Sequence, residues 1–216
     1  MPVIKDEAKK STETRIVDAA VQLFSRYGFT RTSTCKIARL SGLNEITLFR
    51  HFPHKEDLFW AAAESCFRNL RMGGQLRVRL ECDDDPNIVL PQIVAFFFGT
   101  IYYRPEMVRL LYSILFEMGH AEGAEAVVRK HLAPVFHPIR EYLARCAGKG
   151  LIRKVEPSAA VLALAASVAA QHGLDHVVND RVGLYTNVDS AIATYSKFWV
   201  QALIPEKDSP VASSHG

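Results

Sequence analysis

The stretch that most constrains this chain is residues 32–55, TSTCKIARLSGLNEITLFRHFPHK. Its punctuation predicts two short helices joined by a tight turn. Thr32 or Ser33 can cap the first helix, whose apolar positions Ile37, Ala38 and Leu40 are expected to face inward. Ser41-Gly42 ends it, because glycine adopts the left-handed backbone of a helix terminus without a Cβ clash. Asn44 caps a second helix, Glu45 to about His51, and Pro53 limits its run. On that second helix Glu45, Thr47 and Arg50 form the polar face, with Ile46 and Phe49 on other faces. Two helices crossing through a short glycine-containing turn make a helix-turn-helix, whose second helix can lie in the DNA major groove. An ordinary helical hairpin with charges turned to water shares the pattern, so the flanking residues must decide.

Upstream, apolar positions Ile16, Val17, Ala20, Leu23, Phe24 and Tyr27 predict a helix from about Thr12 to Tyr27. Gly28 ends it and Phe29 is placed to pack back over it. This helix would cover the hairpin's apolar side. Downstream, HKED opens a fourth helix with two acids in its first turn, which favours the helix dipole. Its stripe of Leu58, Phe59, Ala62, Cys66 and Leu70 runs up to Gly73-Gly74. Residues 1–60 carry ten Lys/Arg against seven acids, and residues 61–216 balance at sixteen each, so the formal excess of +3 lies on the hairpin segment. A modest basic bias of that kind suits phosphate contact.

Residues 15–62, RIVDAAVQLFSRYGFTRTSTCKIARLSGLNEITLFRHFPHKEDLFWAA, resemble the N-terminal DNA-binding domain of the TetR family of bacterial transcriptional regulators. The matching features are a helix ending in F-x-x-x-G-F, then T-S-x-x-x-I-A, S-G-L, and T-L-F-x-H-F-P-x-K-E-D-L. The resemblance covers about a quarter of the chain. It implies an all-α fold: a three-helix helix-turn-helix domain (1–55) joined to a larger helical domain (56–204, about nine helices) for effector binding and dimerisation, then a disordered tail (205–216). It further implies that Thr32 and Ser33 meet the phosphate backbone. Asn44, Glu45, Thr47 and Arg50 would face the groove, with Phe49 and His51 near the backbone. Lys55 would hold a phosphate with the amides opening the fourth helix. Arg50 is the first choice for a base contact, since its fork matches guanine O6 and N7. The chain departs from the family pattern at three positions. Phe49 stands where tyrosine is usual, Ile46 where a small residue is common, and Thr34 where an apolar one is usual.

Beyond residue 74 only helical patterning remains. QLRVRLECDDDP reads as a connector. A helix from about Asn87 to Tyr102 carries Pro91 near its first turn, and Pro105 starts the next, with Val108, Leu111, Tyr112, Leu115 and Phe116 as its stripe. Residues 124–147 are expected to kink or break at Pro134 and Pro138. GKGLIRKVEP is a loop, and Pro157 opens another helix.

The last two helices invite pairing. SAAVLALAASVAA (158–170) is almost all small, and a final helix from about Asn187 to Leu203 shows a broad apolar face. Val161, Ala165, Val168, Ile192, Tyr195, Phe198 and Trp199 are the candidates for a homodimer interface, the alternative being burial within one chain. A two-fold dimer would present two reading heads to a palindromic operator on double-stranded DNA.

The resemblance also implies a small-molecule effector, mainly apolar or aromatic, held among the C-terminal helices. From the aromatic set that includes Phe96, Phe98 and Tyr103, the candidates are Phe67, Phe97, Tyr102, Phe116 and Phe136. His120, Gln171, His172 and Asp175 are the polar candidates for orienting it. The function expected is therefore a ligand-responsive DNA-binding regulator, a repressor released by its effector. A helical protein-interaction module, or a metal- or redox-responsive regulator, is the alternative. His172 and His176 have metal-compatible i,i+4 spacing but lack a third ligand, so no metal or other cofactor is expected. Cys35, Cys66, Cys82 and Cys146 show no paired spacing, and Cys35 reads as a small buried thiol. No nucleophile elbow, P-loop or dinucleotide fingerprint suggests an enzyme. The N-terminus lacks a signal-peptide core, and the longest uncharged apolar run, 159–170, is too short to span a membrane. A cytoplasmic protein is expected.

Overall fold

The computed structural model describes residues 11–68, 70–82, 85–119, 121–182 and 187–205, without the side chains of 174–182. These residues form helices and connecting turns only. In chain order the helices are α1 (Thr12–Arg31), α2 (Thr34–Leu40), α3 (Glu45–His51), α4 (Lys55–Phe67), α5 (Gly74–Glu81) and α6 (Pro86–Tyr102). They continue as α7 (Pro105–Glu117), α8 (Glu122–Val127), a π-helical turn (Val128–Leu132), α9 (Ala133–Gly148), α10 (Pro157–Val182) and α11 (Val188–Leu203). They fall into two compact units, one within 1–69 and 104–131, the other within 70–103 and 132–216.

In the first unit α1 packs on α2, α4 and α7. The core includes Ile16, Ala20, Phe24, Leu58, Phe59 and Ala62, all fully buried. Phe59 meets the edges of Phe24, Phe29 and Trp60 at centroid distances of 5.2, 5.3 and 5.1 Å, the edge-to-face arrangement aromatic quadrupoles favour. Phe29 thus packs back as its place after Gly28 predicts. The helix does not stop there: Gly28 leaves helical backbone at φ 77°, ψ 176°, and the chain resumes helical geometry to Arg31. On α4, Glu64 accepts from Lys130 and pairs with His131 Nε2 at 2.7 Å. Partial burial works against the Glu64 charge, but those two partners outweigh it and hold its carboxyl below the ordinary range.

In the second unit α11 packs on α6, α6 on α10, and α10 on α9. The expected connector after residue 74 is helix α5. It buries Leu76 and Leu80 one turn apart, packs on α6 and α9, and has its Leu80 carbonyl held by Arg145 Nη2 at 2.6 Å. Correspondingly, α4 ends at Phe67 rather than reaching the Gly73-Gly74 pair. The predicted disturbance at Pro134 takes the form of the π-helical turn. Pro134 has no N–H for the Lys130 carbonyl, and the helix widens just before it, while α9 continues through Pro138. Glu156 opens α10 by accepting from the Ser158 and Ala159 amides, and these hold its carboxyl below the ordinary range.

Two predicted stripes face elsewhere. On α7 the buried side is Met107, Val108, Leu110 and Ile114, and Leu115 and Phe116 are exposed. Leu40 on α2 is exposed as well, and Cys35 is exposed rather than buried. Cys66 is half-buried, and burial pushes its thiol up to about 11. Among the described residues no single helix is long and apolar enough to cross a membrane.

Candidate functional site

The turn between α2 and α3 is fixed by local chemistry. Gly42 has φ 70°, and the Leu43 amide donates back to Ala38 O at 2.9 Å. Arg15 of α1 donates from Nη2 to Ser41 O at 2.6 Å, clamping the carbonyls that end α2. A Cβ at Gly42 would lie 2.9 Å from that same nitrogen. Asn44 caps α3 by accepting from the Thr47 amide at 2.8 Å, and Leu48 anchors α3 in the core. Thr34, the unusual residue opening α2, donates to Glu45 Oε1 at 2.8 Å and so ties the two helices together.

The predicted DNA-facing residues divide accordingly. Ser33, Asn44, Phe49, Arg50 and His51 are exposed, and Thr47 and Lys55 are half-buried. Ser33 is the cap of α2, accepting from the Lys36 amide at 3.4 Å. Glu45 is half-buried, with its carboxylate turned toward Thr34. Thr32 differs from expectation. It is buried, and its hydroxyl lies 3.1 Å from Leu23 O and 2.8 Å from Gly28 O, so its donor is engaged inside the unit. Ile46, read as off the polar face, is 82% exposed and one turn before Arg50. Two cations of the flanking helices α2 and α4 sit on aromatic faces: Lys55 Nζ lies 4.3 Å from the centre of the Phe29 ring and Lys36 Nζ 5.9 Å from that of Tyr27.

The frame behind this surface is held by Glu117 of α7. Its carboxylate accepts from the Phe29 amide at 3.1 Å and from the Thr30 amide and hydroxyl at 2.9 Å. Partial burial would raise the Glu117 pKa, but hydrogen bonds from Thr30, Ser113 and Phe29 prevail and hold it below the ordinary range.

In the second unit three predicted effector residues meet. Tyr102 and His172 pack edge to face at 4.9 Å, and Gln171 Oε1 accepts from the Tyr195 hydroxyl at 3.3 Å. Phe98 joins them, 5.6 Å from Tyr102 and 5.3 Å from Tyr195. Ser196 Oγ and Trp199 Nε1 are buried without a hydrogen-bond partner among the described residues. Phe97 and Phe136 meet each other at 5.7 Å. Phe67 belongs to the first unit, buried 6.3 Å from the His131 ring, while Phe116 is 81% exposed and stacks on Tyr112. His120 and the side chains of Asp175 and His176 lie outside the described residues.

The predicted dimer residues split between two faces. Val161, Val168 and Trp199 are buried within the chain, Ala165, Ile192 and Tyr195 are half-buried, and Phe198 is exposed. Leu162 of α10, not selected from sequence, is exposed like Phe198. A stripe of small residues hides which face points outward, so burial was needed to find it.

The sequence pattern of the family described as bacterial regulatory proteins, tetR family, matches residues 16–62. The chain is 33% identical over 129 residues to the HTH-type transcriptional regulator AcrR of Shigella flexneri, covering 58% of this chain and 57% of that protein. It is 29% identical over 108 residues to the HTH-type transcriptional repressor NicS of Pseudomonas putida, covering 50% of each. The alignments therefore span only about half the length of these relatives. Among solved structures, a bacterial regulatory protein in the tetR family from Rhodococcus RHA1 superposes with a TM-score of 0.67 at 16% identity, covering 89% of this chain and 97% of that one. Residues 16–62, which hold the capped α2-turn-α3 element, thus carry the pattern of the bacterial regulatory proteins of the tetR family, and the chain as a whole shares the fold of a solved member of that family.

Proposed function

We propose that this chain is a ligand-responsive transcriptional regulator, a repressor that binds a palindromic operator as a homodimer in the cytoplasm and is not an enzyme. The supporting observation is the exposed face of α3, where Arg50 stands clear of the protein on a helix capped by Asn44 and clamped through Arg15. In this reading residues 1–55 read DNA, residues 56–204 bind effector and partner, and 205–216 are a tail. Arg50 contacts a base, and Ser33, Lys36, His51 and Lys55 position the helix on phosphates.

The effector is small and mainly apolar, seated by Phe98, Tyr102 and Tyr195, with Gln171 and His172 orienting it. Trp199 Nε1 and Ser196 Oγ, buried without partners among the described residues, offer it polar contacts. An effector that binds the DNA-incompetent arrangement better shifts the population and releases the operator. Dimerisation uses the outward faces of α10 and α11, with Leu162 and Phe198 at their apolar centre.

The test is duplex binding against salt, with DNA selected from a random library. Sequence preference and a steep salt slope are expected. Arg50→Ala should lose about 1–3 kcal/mol of discrimination at one base pair, whereas Lys55→Ala should weaken all sequences alike and reduce the salt slope by about one. Absence of any preference over competitor DNA would remove the reading. Thermal-shift screening with lipophilic and aromatic compounds, followed by DNA release with any hit, tests the effector.

A further inference from the structure

Ile46 is 82% exposed on a seven-residue helix whose one buried residue is Leu48. It carries neither donor nor acceptor, so it cannot join the polar contacts around it. It nevertheless lies one turn before Arg50, on the same face of the helix. Arg50, one turn on, is an exposed cation, and the one acid on the helix, Glu45, is engaged by the Thr34 hydroxyl. A surface with that charge suits a polyanion better than an apolar protein patch.

Resting on the DNA-binding reading above, we propose that Ile46 recognises the C5-methyl group of a thymine in the major groove, one or two base pairs from the guanine contacted by Arg50. The thymine methyl is the apolar feature the major groove presents, and an aliphatic side chain is its complement. The spacing fits. Side chains at i and i+4 stand about 5–6 Å apart on a helix, and successive bases rise about 3.4 Å. A β-branched side chain on a helix is held at χ1 largely in one rotamer, so Ile46 loses little freedom on contact. A small residue at this position would leave the methyl unfilled. The structure thus gives Ile46 a part in specificity that its place off the polar face had hidden.

The test uses the full chain and the selected operator, with each thymine of one half-site replaced in turn by uracil, which removes only the methyl. Wild-type affinity should fall about fourfold at one position within two base pairs of the Arg50 guanine, the worth of one buried methyl. Ile46→Ala should bind more weakly and become indifferent to uracil at that position. Ile46→Val should keep the sensitivity, and 5-methylcytosine paired with guanine should restore the methyl-dependent part. Because Ile46 is exposed, both variants should melt with the wild type. Sequence-selective binding with no uracil effect near that guanine, or an equal effect in Ile46→Ala, overturns the role of Ile46 and leaves the regulator reading standing. Loss of all sequence preference in the wild type overturns both.

Discussion

The α2-turn-α3 element and the α6–α10–α11 packing dispose their polar groups in opposite ways. In the first, side chains are used to hold main chain: Arg15 on the Ser41 carbonyl, Asn44 on the Thr47 amide, Glu117 on the amides of residues 29 and 30. That leaves Asn44, Ile46, Phe49 and Arg50 exposed on the outward side of the element. In the second, polar side chains turn inward among aromatics, as with Gln171, His172 and the Tyr195 hydroxyl. Substitution should therefore separate recognition from stability in the first region and join them in the second.

The largest expected effect lies in the inward-facing region. Phe98 is fully buried against Tyr102 and Tyr195, and Phe98→Ala should cost about 3–5 kcal/mol in chemical denaturation, lowering the midpoint with little change in slope. Next comes the frame of the outward-facing region. Gly42→Val forces a β-branched residue into φ 70° and toward the Arg15 guanidinium, and should cost at least about 1–2 kcal/mol in the same assay.

A smaller effect should appear in the pH dependence. The folded state holds Glu117 below the ordinary glutamate range, so its contribution is full above that range and lost as pH falls through it toward the folded pKa. Glu64 and Glu156 shift the same way, so the check is a difference curve. Glu117→Gln should flatten the acid limb relative to wild type and leave the curve parallel near neutrality. Smallest should be Phe49→Ala on the exposed face of α3, within about 0.5 kcal/mol of wild type in stability while DNA affinity changes. A Phe49→Ala loss as large as that of Phe98→Ala would break the contrast.

Legibility in the sequence follows the same division. Gly28, Gly42, Asn44 and Pro53 act within a few residues of themselves, and the elements they bound were readable without knowing their neighbours. Helix α5 was not, because two leucines are too few for a stripe and its support comes from Arg145, far along the chain. Leu115 and Phe116 share the spacing of residues that pack inward on α7, and only the placement of α1 decides which face is covered. Thr32 looked like a cap because Ser33 beside it is one; burial redirected its hydroxyl to Gly28. The meeting of Tyr102 with His172 joins residues seventy apart, which no periodicity reports.

The clamps of Arg15 and Glu117 have a consequence for how such a chain can diverge. Both act mainly on carbonyls and amides, groups that nearly every amino acid supplies, so apart from the two glycines, the Phe29 ring and the Thr30 hydroxyl the clamps place little demand on side chains of the segments they hold. Proline at 29 or 30 is the chief exception, since it deletes an amide that Glu117 needs. A lineage can thus rewrite the outward face of α3 one residue at a time while the mount beneath it stays put. The constraint is displaced onto positions 15 and 117, where a change should be felt by every version of the face alike.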